Sequence, residues 1–403
     1  KRTMQKRVLR SPPVQAGKIK EGNAHRGRTE EQRPGLYLHI PFCTAKCRYC
    51  NFFSVTKVSE IPRFLKALFK EALLQGGGIG SFDTLYIGGG TPSLLAPFQL
   101  SELFSHLRKT YDICEDAEVT MEVNPADVGL PVLAQMRALG INRLNIGVQS
   151  FDDTLLAFLG RRHDGNQAIQ SIMAARQAGF DHVGIDLIYG IPGQTRQAWK
   201  KALEYAASLN IPHLSCYQLT LEQDTPLGKS CAQGLFKIPD DDELFEFFMD
   251  TSEFLESSGY THYEVSNFAL GESFVSRHNS KYWRHIPYLG LGPAAHSFDG
   301  CKRWENVRSL ECYLQRLERG ELPVESCEEL TNEELQLETL FLGFRTKAGI
   351  DLGAFSERFG VDLRASKKDF LKPLLSAGHL RIADGRLQPT RTGMALADAL
   401  ALL

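Results

Sequence analysis

The chain lacks any apolar run near the ~20 residues that a bilayer-spanning helix requires, which excludes stable membrane insertion. It also lacks a dominant charge. Against 46 Lys and Arg stand 48 Asp and Glu, a formal net charge of -2 over 403 residues. A near-neutral chain exerts no long-range pull on nucleic acid or an anionic membrane surface, so neither is an expected partner. Paired cysteine spacing is missing too. Nine cysteines are present, and six of them (Cys114, Cys216, Cys231, Cys301, Cys312 and Cys327) are scattered. Scattered cysteines suit a reducing compartment, where most act as small buried apolar groups. The expected location is therefore the cytoplasm. Hydrophobic content of 43% and charged content of 23% are ordinary for a globular protein. The length accommodates one large domain and a smaller one.

Residues 1–35 are poor in both acidic and apolar side chains, with ten Lys and Arg against three Glu. Such a segment cannot bury a core, and disorder is the expectation. A mitochondrial transit peptide is also Arg-rich and acid-poor, which would place the protein in the mitochondrial matrix. The segment has neither Ser enrichment nor an amphipathic apolar face, so an extension of a cytoplasmic protein is preferred.

What is present begins with Cys43, Cys47 and Cys50, directly after the apolar run Leu36–Phe42. Thiolates favour iron–sulfur clusters, zinc and copper(I), and three within eight residues can wrap one centre on a single loop. A fourth ligand is absent, because Phe52 carries no donor atom. Structural zinc closes four ligands, whereas a four-iron cube held by three cysteines leaves one iron open for a small molecule.

Short apolar runs then alternate with amphipathic stretches. Strands are predicted at Leu36–Phe42, Thr84–Ile87, Glu118–Val123, Arg143–Val148, His182–Ile188 and His213–Leu219. Helices are predicted at Arg63–Gln75, Pro97–Thr110, Pro131–Leu139, Asn166–Ala178 and Gln197–Leu209, with Gly179 as a stop signal. This alternation implies parallel strands with right-handed crossovers. The expected fold is α/β, an incomplete parallel (β/α)6 barrel. Beyond it, helical patterns at Glu333–Phe344, Leu352–Phe359 and Ser366–Ala377 precede strands His379–Ala383 and Arg386–Pro389, joined by Asp384-Gly385. That order suggests a small α+β winged-helix-like module. It has no basic stripe and reads as a structural or partner-facing cap. The expected division is a barrel at 36–265, a connecting region at 266–325 and the cap at 326–403.

Polar residues recur at the predicted strand ends: Gly88-Gly89-Gly90-Thr91, Glu122, Gln149, Asp186 and Gln218. In parallel barrels this is where functional groups gather. Glycines admit close ligand approach, and a carboxylate on an apolar strand is costly to bury unpaired. With the first strand leading into the cysteine loop, six such ends imply a polar pocket at one mouth.

The cluster loop, with His39-Ile40-Pro41-Phe42 before it and Tyr49, Asn51 and Phe52 around its last cysteine, resembles the radical S-adenosylmethionine (radical SAM) superfamily, coproporphyrinogen-dehydrogenase-like branch. The resemblance implies a 4Fe–4S cluster on Cys43, Cys47 and Cys50, with S-adenosylmethionine chelated to the open iron and cleaved on one-electron reduction. It further implies cosubstrate contacts from Tyr37, Gly89, Gly90, Thr91, Glu122, Gln149, Arg161 and Asp186, with Arg162 as a neighbouring alternative to Arg161. His39 reads equally as pocket lining or core.

Two residue sets choose within the branch. Coproporphyrinogen dehydrogenases carry a cysteine where this chain has Phe52. The run His278-Asn279-Ser280-Lys281-Tyr282-Trp283 resembles the H-N-x-x-Y-W motif of HemW-like haem chaperones. That resemblance implies haem contact by His278, Tyr282 and Trp283, with His285 and His296 as alternative ligands, and delivery of haem to apo-haemoproteins. The bland reading of the run is a helix start with a core Trp. The rival functions are an oxygen-independent coproporphyrinogen III dehydrogenase and a radical enzyme acting on an unrelated substrate. Whether the chain is an enzyme is left open, and a homodimer is the assembly considered.

Overall fold

The computed structural model describes residues 32–76 and 80–400. The expected basic extension falls, for residues 1–31, outside the described residues. Its last residues are ordered: the Arg33 guanidinium donates to Cys114 Sγ (3.1 Å), the Arg33 carbonyl accepts from Lys281 Nζ (2.7 Å), and Gly35 opens the first strand.

Six strand–helix units follow. Strands β1 (Gly35–Ile40), β2 (Phe82–Gly89), β3 (Ile113–Val123), β4 (Arg143–Gln149), β5 (His182–Tyr189) and β6 (His213–Gln218) are parallel neighbours in that order. Between them run α1 (Ile61–Gln75), α2 (Pro97–Thr110), α3 (Leu130–Ala138), α4 (Asp153–Leu159), α5 (Gly165–Gln177) and α6 (Arg196–Ser208). Side-chain oxygens start the later helices: Asp152 Oδ1 accepts from Thr154 N, Asp164 Oδ1 from Gln167 N and Thr195 Oγ1 from Ala198 N. Gly179, at φ +85°, ends the α5 turn as expected.

Alternation along the strands separates two environments. Leu36, Leu38, Ile40, Leu85, Ile87, Met121, Leu144, Ile146, Val148, Ile185 and Leu187 are buried in one apolar core with the helices. Each such side chain contributes about 1.5–3 kcal/mol by leaving water. The intervening residues Tyr37, His39, Tyr86, Glu122, Asn145 and Asp186 meet one another across the strands. The inside of this barrel is therefore polar, and the apolar core lies outside it.

The barrel does not close on itself. After α7 (Pro226–Ala232) and α8 (Asp241–Ser257), β7 (Thr261–Glu264) and β8 (Asn267–Ala269) extend the β6 edge antiparallel. Helix α9 (Arg277–Trp283) follows, then β9 (Tyr288–Leu291), β10 (His296–Phe298), β11 (Lys302–Asn306), α10 (Leu310–Glu318) and β12 (Val324–Glu329). Strand β9 runs parallel to β1 and begins a second extension, so that among the described residues one sheet of twelve strands reads β12-β11-β10-β9-β1-β2-β3-β4-β5-β6-β8-β7. Residues 266–325, expected only to connect, are thus woven into the barrel sheet.

The last segment has its own core of Leu340, Phe344, Ile350, Phe355, Phe359, Leu371, Leu380 and Leu387. It contains α11 (Asn332–Gly343), β13 (Ile350–Asp351), α12 (Leu352–Phe359), α13 (Leu363–Ser366), α14 (Lys368–Ser376), β14 (Leu380–Ala383) and β15 (Arg386–Pro389). The strands form a three-stranded antiparallel sheet, and Asp384 and Gly385, at φ +50° and +71°, make the expected hairpin turn.

Candidate functional site

The C-terminal ends of β1 to β5 open on a cavity of about 150 Å³. Cys43, Cys47, Cys50, Gly89, Gly90, Thr91, Glu122, Gln149, Arg161 and Asp186 all line it. Of the expected site residues, Tyr37, His278, Tyr282 and Trp283 do not.

The cysteine loop is anchored by its backbone. Cys43 N donates to the Val55 carbonyl (3.0 Å) and Cys50 N to the Cys47 carbonyl (3.2 Å). Two thiols already receive hydrogen bonds, Cys43 Sγ from Thr91 Oγ1 (3.5 Å) and Cys47 Sγ from Arg161 Nη1 (3.3 Å). Burial pushes the Cys50 thiol up, and the neighbouring Cys47 and Cys43 sulfurs add to the shift. All three cysteines are free. Among the described residues, no three His, Cys, Asp or Glu side chains converge on a single ion. A cluster asks for something different, since its iron corners stand apart and its thiolates must as well.

The triple glycine has a packing reason independent of any ligand. A Cβ on Gly90 would lie 2.6 Å from the Phe42 carbonyl, and one on Gly89 (φ +110°) would lie 2.8 Å from the His39 ring. The close approach lets Gly90 N and Thr91 N donate to Ile40 O (2.8 Å) and Phe42 O (2.7 Å), pinning this loop to the entry of the cysteine loop.

Three partly buried ionic side chains face the cavity. Glu122 accepts from Tyr86 OH (2.8 Å) and Gly89 N (3.2 Å), and burial pushes its carboxyl up to about 7. Asp186 accepts from Asn145 Nδ2 (2.8 Å) and is pushed up to about 6, chiefly by burial. Its Oδ1 has no hydrogen-bond partner. Arg161 donates to Cys47 Sγ and to the Gly147 carbonyl (2.7 Å), leaving buried Nε unpartnered. Arg162, the alternative, is bound by the Asp127 carboxylate at 2.6 Å. Gln149, in the left-handed region at φ +67°, sits where the β4–β5 register shifts. Such a conformation in a non-glycine residue costs about 1–3 kcal/mol and is held by its surroundings.

The donor set therefore fits two groups: a cluster on the three thiols, and a zwitterion with a hydroxylated portion. A carboxyl is available to an ammonium, a guanidinium to a carboxylate, and a second carboxyl to hydroxyls. The cavity thus sets Arg161 Nε and Asp186 Oδ1, which have no hydrogen-bond partner, beside three free thiols.

Tyr37 lies deeper than expected. Its hydroxyl pairs with His39 Nδ1 (3.1 Å), while His39 Nε2 pairs with the Phe53 carbonyl (2.8 Å). Burial lowers His39 to about 4, keeping it neutral. It supports the cysteine loop from below.

His278, for which the resemblance implies haem contact, lies away from this cavity. Helix α9 closes the opposite end of the barrel, against the N-terminal ends of the strands. His278 is 1% exposed, its Nδ1 pairs with Thr84 Oγ1 (2.8 Å), its Nε2 pairs with Tyr282 OH (2.9 Å), and its ring stacks on Tyr86. Glu118 accepts from the backbone N–H of Arg277 (3.1 Å) and His278 (2.9 Å), an anion at the helix N-terminus. Lys281 Nζ lies 2.7 Å from Asp83, and Arg143 lies 3.6 Å from Glu118. Trp283 packs under the Arg345 guanidinium, 5.5 Å from its ring centre. Arg277, His278 and Lys281 thus tie α9 to the N-terminal ends of β2 and β3.

Of the two alternative histidines, His285 stacks on Phe298 (4.4 Å, 5°) and pairs through Nε2 with Glu338 of α11 (3.1 Å). His296 instead has a side chain 52% exposed, on a second cavity of about 560 Å³.

Sequence reasoning missed Asn145, Tyr86 and Tyr49. Asn145, Gly147 and Gln149 alternate along β4, and that period of two would have placed Asn145 in the cavity wall with the other two.

The Radical SAM superfamily model matches residues 37–206, and the HemN C-terminal domain model matches residues 330–396. A Lactococcus lactis protein named heme chaperone HemW is 36% identical over 81% of this chain and 86% of its own length. A mouse protein named radical S-adenosyl methionine domain-containing protein 1, mitochondrial, is 33% identical over 92% of this chain and 87% of its own. Among solved structures, Escherichia coli coproporphyrinogen III oxidase (HemN), described as a radical SAM enzyme, matches with a TM-score of 0.79 at 28% identity. That match covers 92% of this chain and 90% of the other.

Proposed function

This chain belongs to the radical SAM superfamily, in the group of the heme chaperone HemW, and from that premise we propose that it binds a 4Fe–4S cluster and S-adenosylmethionine and carries haem for insertion into apo-haemoproteins. Cys43, Cys47 and Cys50 hold the cluster. When bound, the two cofactors supply one-electron reductive cleavage of a sulfonium. Glu122 receives the methionine ammonium together with the Gly89–Gly90 backbone, Arg161 receives the carboxylate, and Asp186 and Gln149 receive the ribose side. Thr91 and Arg161 hold the cysteine sulfurs in place. The observation that carries this reading is the cavity uniting three free thiols with an unpartnered Arg161 Nε and Asp186 Oδ1.

Carriage rather than porphyrinogen oxidation is supported by Phe52, 70% exposed where a dehydrogenase has cysteine, and by several HemW-named relatives at 32–36% identity. The likeness to the HemN structure keeps oxygen-independent coproporphyrinogen III dehydrogenase as the second reading. The proposed location is the cytoplasm, with the mitochondrial matrix second on the strength of the mouse relative's name. The test is anaerobic: haem is titrated by absorption difference into cluster-loaded protein, and coproporphyrinogen III is supplied with S-adenosylmethionine and reductant. Saturable one-to-one haem binding without decarboxylated product is expected. Turnover of coproporphyrinogen would install the second reading.

A further inference from the structure

Two residues after Arg161 comes a buried imidazole that does not itself line the cavity at the mouth. His163 is 3% exposed, on the short segment between α4 and α5. Its Nε2 pairs with the Val148 carbonyl (2.9 Å), one residue before Gln149. A carbonyl can only accept, so Nε2 carries the proton. Burial, with Arg161 adding to the shift, lowers His163 to about 4 and keeps the ring neutral.

The Val148 carbonyl also accepts from Ser150 N (2.8 Å). A bond from residue i to i+2 around Gln149 at φ +67° is a γ-turn of the positive-φ kind, which is rare and strained. The carbonyl oxygen has two lone pairs, one used by the turn itself and one by His163. At this turn the β4–β5 register shifts between Ile146 and Gln149. The Gln149 side chain comes back over Gly147, where an added Cβ would lie 3.0 Å from Gln149 Nε2 and 3.4 Å from Arg161 Nη2. Arg161 Nη2 donates to the Gly147 carbonyl (2.7 Å). Arg161 and His163 therefore grip consecutive carbonyls of the strand end, while Arg162 between them turns to Asp127. A strained turn persists where its surroundings over-determine it, and His163 supplies that constraint from outside the turn.

We propose that His163 is a positioning residue of the cosubstrate site. Its hydrogen bond to the Val148 carbonyl holds the turn that presents the Gln149 amide to the cavity. The assignment rests on the S-adenosylmethionine reading above, in which Gln149 meets the ribose side. His163 touches neither cofactor and acts through Gln149.

The test uses the full, cluster-loaded chain under argon with the cluster oxidised, so that S-adenosylmethionine is bound and not cleaved. Its affinity is measured by calorimetry in wild type, His163→Ala, His163→Gln, Gln149→Ala and the His163→Ala, Gln149→Ala double variant. Each is checked for iron content and melting temperature. His163→Ala is expected to weaken S-adenosylmethionine about fivefold, the loss of one hydrogen bond, with iron content kept. His163→Gln, whose amide can still donate to a carbonyl, is expected to regain most of that loss. In the Gln149→Ala background, His163→Ala is expected to cost no more than about twofold further, the mark of two residues acting as one. L-Methionine, which has the ammonium and carboxylate and no ribose, is expected to bind wild type and His163→Ala alike. Unchanged S-adenosylmethionine affinity in folded His163→Ala, a full additional loss on top of Gln149→Ala, or methionine weakened equally would overturn the assignment and leave the cofactor reading standing. No saturable S-adenosylmethionine binding by wild type would overturn the cofactor reading and the assignment with it.

Discussion

The two ends of the barrel are built from the same kinds of side chain and finish in opposite states. At the floor, Asp83, Glu118, Arg143, Lys281 and His278 are nearly sealed from water, and each faces a partner. At the mouth, Arg161 and Asp186 are only partly buried and border the open cavity, and neither Arg161 Nε nor Asp186 Oδ1 has a hydrogen-bond partner. A buried, paired polar group holds a fold, and an unpaired one bordering a cavity is free to take a ligand. The contrast separates the two motifs that sequence alone ranked together, the cysteine loop and the H-N-x-x-Y-W run.

The comparison can be broken from either end. The largest effect is at the mouth: Cys47→Ala is expected to abolish the cluster outright, read as iron and sulfide per chain, while the melting temperature of the apo-protein stays near wild type. At the floor, Asp83→Ala strands the buried Lys281 ammonium and is expected to remove about 3 kcal/mol of stability in urea unfolding, as breaking a buried pair does. Its folded fraction should still load a cluster. His278→Ala loses two buried hydrogen bonds and a stacked ring, for about 2 kcal/mol. Glu122→Gln leaves the fold intact and weakens S-adenosylmethionine about tenfold, measured by calorimetry, because a charge-assisted contact becomes a neutral one.

Titration sharpens the mouth further. Burial raises Glu122 to about 7 from an ordinary 4.5, so the folded state binds the extra proton. Its stabilising share is complete below about pH 4.5 and is lost as pH rises through 7. Glu122→Gln should therefore flatten part of the fall in apo-protein stability across that window. Bound S-adenosylmethionine should reverse the trend in wild type, since its ammonium favours the carboxylate. A stability profile identical in the two proteins would show that Glu122 does not titrate there.

Much of this architecture was legible in the residues. The strands Arg143–Val148 and His182–Ile188 emerge within a residue of β4 and β5, because a strand buried on one face and polar on the other alternates cleanly. The cysteine loop was legible because its chemistry is local. Strands β7 to β12 were not, since they are short, partly polar and recruited by distant partners, as when β9 pairs with β1. The role of His278 was hidden for the same reason. A histidine followed by Tyr and Trp does not reveal which groups surround it. Thr84 and Glu118, 194 and 160 residues away, do so here. Local sequence holds half of that pair and the fold supplies the rest.

The most direct measurement is the iron and sulfide content of anaerobically reconstituted wild type, Cys47→Ala and Asp83→Ala, with a melting curve for each. About four irons per chain are expected in wild type and in folded Asp83→Ala. Cys47→Ala should hold none and melt as the apo wild type does. A full cluster in Cys47→Ala, or a folded Asp83→Ala unable to hold one, would contradict a ligand-binding mouth set apart from a structural floor.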